Sequence, residues 1–142
     1  MNPTIEKFGY PATLVREFDQ WVVLLRPAQV TLGALVLAAK SDATAFADLP
    51  AGAFMELHSA IGAIERGLAA FRPFERINYL MLMMVDREVH FHVLPRYSQT
   101  QPWDDVDFPD IGWPGPPQLG AAPALSDAKI RQLVSELTHQ LK

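Results

Sequence analysis

The feature that most constrains the fold of this chain is a regular alternation of ionisable and apolar side chains over residues 88–96. Successive side chains of a β-strand point to opposite faces of the sheet. An extended strand would therefore place Glu88, His90 and His92 on one face, about 6.5–7 Å apart at each step. The apolar residues between them would face a core. The alternation predicts a strand that presents two histidines and one carboxylate together.

Hydrophobic periodicity predicts strands before a long helix. Strand-like segments at 13–16 and 21–25 are separated by a turn, and the apolar run at 34–39 lacks alternation, which favours a strand buried on both faces. From Pro50 to Arg72 the apolar spacing becomes helical. The predicted stripe consists of Phe54, Leu57, Ile61, Ile64, Leu68 and Phe71. Residues 76–84 and 88–94 are then expected to form an antiparallel hairpin with Asp86 and Arg87 as a tight connection.

The last third of the chain begins with a proline- and glycine-rich segment, residues 98–123, that contains Trp103 and Trp113. A segment of this length with no predicted helix or strand is unusual in a compact domain. Ser126 is the expected N-cap of a final helix over 125–141. The elements together predict a single α+β domain over 1–142, in which an antiparallel sheet of about five strands carries one long helix and a C-terminal helix.

Composition excludes several classes of function. The chain has no cysteine, so disulfides, thiolate metal sites and cysteine nucleophiles are ruled out. Its net charge of −4 argues against a general nucleic-acid binder, which normally carries a basic patch. The longest apolar run, residues 32–39, is too short to span a bilayer. With no secretory signal in the first residues, we expect a cytoplasmic protein.

Three chemistries are open to Glu88, His90 and His92. One histidine could attack phosphorus and form a covalent phosphoramidate, which splits one difficult displacement into two easier ones. His90 and His92 could instead bind a metal with a third ligand such as Glu88. Finally, the side chains could be structural, with His92 hydrogen-bonded inside a core.

Residues 89–96 resemble the signature of the histidine triad (HIT) family of nucleotide hydrolases and transferases. That signature has three histidines alternating with apolar residues, commonly followed by an apolar pair, proline and arginine. His90 matches the middle histidine, which is the family's nucleophile, and His92 matches the third. Glu88 stands where the first histidine belongs. The resemblance extends over about residues 15–97, because the order of strands, helix and hairpin also agrees.

The resemblance implies a hydrolase or transferase that acts on a phosphoanhydride or phosphoramidate of a nucleotide-like substrate through a covalent histidine intermediate. His90, His92 and Glu88 would be catalytic, and Arg26, Asn78 and Arg96 would bind substrate. Arg26 occupies a place where family members often carry an acid or amide for the ribose. A homodimer is implied, and no cofactor is expected. The alternative is a non-catalytic dimeric protein that binds a nucleotide or other ligand on the same fold, and a His/Glu metal site ranks third.

Overall fold

The chain folds around a five-stranded antiparallel sheet, and the computed structural model describes all residues, 1–142. The helices are α1 (Pro3–Lys7), α2 (Ala51–Phe71) and α3 (Asp127–Gln140), with a short 3₁₀ helix at Phe46–Asp48. The strands are β1 (Leu14–Glu17), β2 (Trp21–Leu25), β3 (Leu35–Ala39), β4 (Arg76–Leu80), β5 (His90–Arg96), β6 (Gln101–Trp103) and β7 (Val106–Phe108). The α+β class and the five-stranded sheet predicted from the sequence are confirmed.

The strands of the sheet follow the order β1-β2-β3-β5-β4, which leaves β1 and β4 at the edges. In the pairing of β3 with β5, Val36 lies opposite His92 and Ala38 lies opposite His90. Residues directly opposite one another in an antiparallel pair have side chains on the same face. The two histidines therefore share a face with the small apolar side chains of β3.

The two faces of the sheet have different covers. One face packs against α2 and α3 in the main core, which includes Trp21, Leu37 and Leu68. The other face is covered in part by the N-terminal segment, where Ile5 of α1 packs on Val22 and Val36. All five residues of β3 are buried. Burial on both faces explains why the sequence of this strand is apolar throughout and does not alternate. The histidines lie on the face that α1 covers.

The buried stripe of α2 differs from the predicted one at its N-terminal end. Phe54 is exposed, whereas the small residues Ala53, Ala60 and Gly67 are buried. Small side chains allow neighbouring elements to approach closely, and a Cβ at Gly67 would collide with the side chain of Leu141. The predicted stripe is wrong at Phe54 because close packing selected small residues that hydrophobicity alone does not mark.

Two predicted connections also differ from the structure. The β4–β5 connection is not a tight turn at Asp86 and Arg87, since β4 ends at Leu80 and β5 begins at His90. Residues 98–123 contain regular structure, because β6 and β7 form a two-stranded ribbon turned by Asp104 and Asp105 at positive φ.

Trp103 at the end of β6 is buried and donates from Nε1 to Glu136 of α3 at 2.8 Å. Ser126 caps α3 as predicted. No helix has the length and apolar character needed to cross a membrane.

Candidate functional site

His90 and His92 begin β5 as close neighbours on one face of the sheet. Their ring centroids are 5.2 Å apart and the rings are nearly perpendicular, at 79°. Both side chains are almost fully buried. Phe8, just after α1, packs against both rings, with centroid distances of 5.9 Å to His90 and 5.7 Å to His92. The strand thus supplies two adjacent imidazoles, as predicted, and the N-terminal segment holds them from the other side.

A main-chain contact decides the tautomer of His90. Its Nδ1 lies 2.7 Å from the carbonyl oxygen of Glu88. A carbonyl oxygen can only accept a hydrogen bond, so Nδ1 must carry the proton and donate it. In the neutral ring Nε2 then has a free lone pair. This is the arrangement that a nucleophilic or basic imidazole requires.

His92 takes the opposite tautomer because its neighbour is a cation. The Nε–H of Arg26 donates to Nδ1 of His92 over 3.4 Å, and arginine has no acceptor. The remaining proton of a neutral His92 therefore resides on Nε2. Burial, followed by the nearby charge of Arg26 and by His90, lowers the pKa of His92 to about 4. At neutral pH this ring is uncharged and donates from Nε2.

Arg26 follows β2 directly and is held by its own surroundings. Its Nη1 donates to the carbonyl oxygen of Ala28 at 2.7 Å, which fixes the guanidinium beside His92. Burial lowers the pKa of Arg26, but an arginine side chain stays charged in proteins. Arg26 is therefore a half-buried, fixed positive charge next to the histidines.

The histidines line a cleft of about 360 Å³, here called the histidine cleft. Its ionisable lining consists of His90, His92, Arg26, Lys7 and Asp86. The Nζ of Lys7 donates to Asp86 at 2.7 Å, which ties α1 to the loop between β4 and β5. Its apolar lining consists of Phe8, Leu82, Met83, Met84, Val85 and Leu119.

Glu88 does not line the histidine cleft, and the prediction that the strand includes it is wrong. The residue precedes β5, and its Oε1 accepts a hydrogen bond from the Thr4 hydroxyl at 2.7 Å. Its side chain lines a separate small cavity beside α1. No group of three or more metal-binding side chains is assembled anywhere in the chain. The hydrogen bond between Glu88 and His90 uses the main-chain carbonyl of Glu88.

Asn78 and Arg96, the other predicted substrate-binding residues, lie away from the histidine cleft. Arg96 is four residues beyond His92, about 13 Å along an extended strand. It donates to both carboxylate oxygens of Asp110, at 2.6 and 3.0 Å, to Oδ1 of Asn78 at 2.8 Å and to the carbonyl of Gly115 at 2.9 Å. With its donors occupied in this way, Arg96 fastens the proline-rich segment to the sheet. Its geometry argues against direct contact with a substrate held at His90.

Sequence reasoning missed the N-terminal segment as a part of the site. Lys7, Phe8 and Thr4 all contact the histidines or the loop before them. Asn2 followed by Pro3 is a recognisable helix start, and the Asn2 side chain does cap α1. That signal predicts a helix but not its position, because the same side chain also donates to Ala39 and Ser41 at the far end of β3.

Comparisons with known proteins show the fold. No family model and no curated protein matches the chain. Among solved structures, a histidine triad protein from Bradyrhizobium japonicum has a TM-score of 0.76 at 17% identity, over 100% of this chain and 97% of that one. One from Sinorhizobium meliloti has a TM-score of 0.75 at 19% identity, over 99% and 95% of the two chains.

A third structure, a histidine triad protein from Marinobacter aquaeolei VT8, has a TM-score of 0.67 at 20% identity and covers 96% of each chain. At these identities the likeness concerns the fold. The chain therefore adopts the fold of histidine triad proteins over essentially its whole length, including the segments outside residues 15–97.

Proposed function

We propose that this chain is a hydrolase or transferase of the histidine triad type, acting at phosphorus on a phosphoanhydride or phosphoramidate of a nucleotide-like substrate. The observation that carries the proposal is the 2.7 Å contact from His90 Nδ1 to the Glu88 carbonyl. It keeps the lone pair of Nε2 free on a buried, rigidly held ring that lines a cleft. The fold shared with histidine triad proteins supports the same assignment.

The reaction proceeds in two displacements. Nε2 of His90 forms a bond to phosphorus, and the bond to the leaving oxygen or nitrogen breaks, with its electron pair going to the leaving group. The leaving group takes a proton from water. A second water, or another acceptor in a transferase, then attacks phosphorus and loses a proton to solvent. The N–P bond breaks and returns the lone pair to Nε2.

Positive charge around the histidines offsets the negative charge of the phosphoryl oxygens. Arg26 is fixed beside His92, and Lys7 lines the same cleft. The neutral His92 donates its Nε2–H to a non-bridging oxygen. Fixed donors of this kind stabilise charge that develops in the transition state. They also make the cleft locally favourable to an anion in a protein whose net charge is −4.

Glu88 acts in this scheme through its main chain. Its carbonyl orients His90, while its carboxylate is bonded to Thr4. The substitution of a carboxylic acid for the first histidine of the family pattern is then compatible with catalysis, because the side chain at this position points out of the histidine cleft.

The test is turnover by His90→Ala, with His58→Ala as the matched control because His58 is exposed on α2. Dinucleoside polyphosphates and nucleoside phosphoramidates are screened with the wild type. We expect His90→Ala to lose at least about 1,000-fold in kcat/KM, as expected for removal of a nucleophile, and His58→Ala to remain near wild type. If the wild-type reaction is quenched without acid, mass spectrometry should show a phosphorylated or nucleotidylated His90.

Unchanged turnover in His90→Ala would contradict the nucleophilic role. Saturable binding without turnover of any of these compounds would instead favour the non-catalytic ligand-binding alternative.

The proposal includes a homodimer. The edge strand β4 has no partner on its outer side within the chain. Phe46 and Phe54 pack against each other with ring centroids 5.4 Å apart and are exposed, as is Met55. An open strand edge and a small apolar surface are both features that a second subunit can cover.

A further inference from the structure

One wall of the histidine cleft is apolar, and chemistry at phosphorus alone leaves it without a role. The wall is formed by Phe8, Leu82, Met83, Met84, Val85 and Leu119. Met84 and Val85 are 83% and 82% exposed, and Leu82 is also exposed. Covering such side chains with an apolar group is favourable in proportion to the area removed from water. The loop between β4 and β5 therefore offers a surface that an apolar part of a ligand would stabilise.

The backbone of this loop gives an independent indication. Met83 has a φ of 55°, a left-handed conformation that residues other than glycine, asparagine and aspartate rarely adopt. Unfavourable backbone conformations held in place by their surroundings occur mainly at ligand-binding and catalytic sites. Methionine is also a flexible side chain that adapts to irregular apolar partners. Met83 packs partly against the main core and also lines the histidine cleft, so the strained loop is held beside the place where a ligand would lie.

The polar groups of the cleft suit an anion better than a sugar. Arg26 and Lys7 can only donate hydrogen bonds. Asp86, the one carboxylate in the lining, is bonded to Lys7 at 2.7 Å. Ribose hydroxyls are commonly bound by a carboxylate that accepts from them. The cleft therefore pairs the fixed charge of Arg26 with an apolar wall, and its one carboxylate is held in an ion pair with Lys7.

We infer that the substrate carries an apolar aliphatic or aromatic group on the reacting phosphorus, and that this group lies along the apolar wall while the phosphoryl oxygens face Arg26 and Lys7. The inference rests on the proposed function for the position of phosphorus at His90. It keeps the chemistry at phosphorus from the proposed function and departs from it in one respect, because the group recognised beside phosphorus is an apolar ester or amide substituent in place of the ribose of a nucleotide.

A series of p-nitrophenyl phosphodiesters tests this, because the leaving group and the phosphorus stay constant while the second ester group changes. The second groups are methyl, butyl, hexyl, benzyl and 5′-uridine. Each half-buried methylene should raise kcat/KM by about a factor of two. Hexyl has five more methylenes than methyl, so kcat/KM should rise at least about 30-fold from methyl to hexyl. The benzyl ester should also have a higher kcat/KM than the 5′-uridine ester. The corresponding 2′,3′-dideoxyuridine ester should react like the uridine ester.

Variants locate the effect. Leu82→Ser and Met84→Ser should each reduce the ratio of hexyl to methyl kcat/KM by about threefold or more. Ile111→Ser, an exposed apolar residue outside the histidine cleft, should keep the wild-type ratio. A flat ester series, or a uridine ester that is preferred and loses its advantage without its 2′ and 3′ hydroxyls, would overturn the inference.

Binding of hydrolysis-inert phosphonates separates this inference from the proposed function. Calorimetry should show hexylphosphonate binding at least about 30-fold more tightly than methylphosphonate in both wild type and His90→Ala. Equal affinities would overturn the inference whatever the turnover. Release of p-nitrophenolate that persists in His90→Ala would overturn the proposed function and leave the binding result standing.

Discussion

Glu88 connects the N-terminal segment to His90, the proposed nucleophile, through two different atoms. Its Oε1 accepts from Thr4 and its carbonyl oxygen accepts from Nδ1 of His90. Because glutamine keeps an acceptor at the same place, Glu88→Gln should retain kcat within about threefold, whereas Glu88→Ala should lose the tether and lower kcat about tenfold with little change in KM. Steady-state kinetics measures the split.

The pH profile separates a positioning role of Glu88 from an acid–base role. A carboxylate that transfers protons contributes a limb to the pH dependence of kcat, and its removal deletes that limb. We expect the profile of Glu88→Gln to match that of the wild type. A lost limb, together with a loss as large as that of His90→Ala, would show that the carboxylate takes part directly.

His92 gives the stability of the protein a pH dependence. Its pKa is lowered to about 4 in the folded state, against about 6.5 in an unfolded chain. Above pH 6.5 the ring is neutral in both states and contributes no penalty. As pH falls toward 4 the unfolded state binds a proton that the folded state does not, so the free energy of unfolding should decrease by up to about 3 kcal/mol.

Urea unfolding near pH 7.5 and near pH 4.5 measures this contribution. His92→Phe should be less sensitive to acid than the wild type, since phenylalanine does not titrate. His139→Phe serves as the control because His139 is exposed at the end of α3. An acid sensitivity that is the same in all three proteins would contradict a buried neutral His92.

At the scale of elements, β5 shows what local pattern can predict. The alternation correctly predicted that His90 and His92 share one face, because every residue from His90 to Arg96 is in the strand. The same alternation continues to Glu88, but the strand does not. Val89 bonds through its carbonyl to Ala39 and through its N–H to Ala43, so the start of β5 depends on contacts nearly fifty residues away. Local periodicity has no access to that information.

The N-terminal helix is the element that sequence reasoning could least place. A five-residue helix is too short to be stable by itself, so its existence depends on what it packs against. Asn2, Thr4 and Lys7 connect it to the end of β3, to Glu88 and to Asp86. Each of these contacts spans more than thirty residues of chain. A cap signature at Asn2 was visible, but the contribution of Phe8 to the site was not.

At the scale of the whole molecule, many different sequences can specify the fold, whereas few residues can specify the chemistry. The fold agrees with histidine triad proteins at 17–20% identity, because a buried sheet and a packed helix tolerate many apolar sequences. The proposed site depends on single positions such as Arg26, Met83 and Glu88. Fold can therefore be inferred from pattern across the chain, whereas the substrate must be argued from the cleft.

The exposed apolar surface of the molecule leads to a prediction about its homodimer. If a second subunit covers the apolar surface of Phe46, Phe54 and Met55, a charge placed there should weaken the dimer. Met55 is 79% exposed, so Met55→Lys should leave the monomer fold intact. Both subunits of a symmetric dimer carry the change, so losing the burial of this side chain on each costs about 3–6 kcal/mol in total, which raises the dimer dissociation constant by at least about 150-fold.

Light scattering coupled to size exclusion, run over a dilution series, measures this constant. The wild type should be dimeric at concentrations where Met55→Lys is monomeric. Ile111→Lys adds the same charge at an exposed apolar position on the proline-rich segment and should dimerise like the wild type. A monomeric wild type would exclude the homodimer. A dimer that Met55→Lys leaves unchanged would move the interface away from this surface, with the open edges of β1 and β4 as places where a strand can be added.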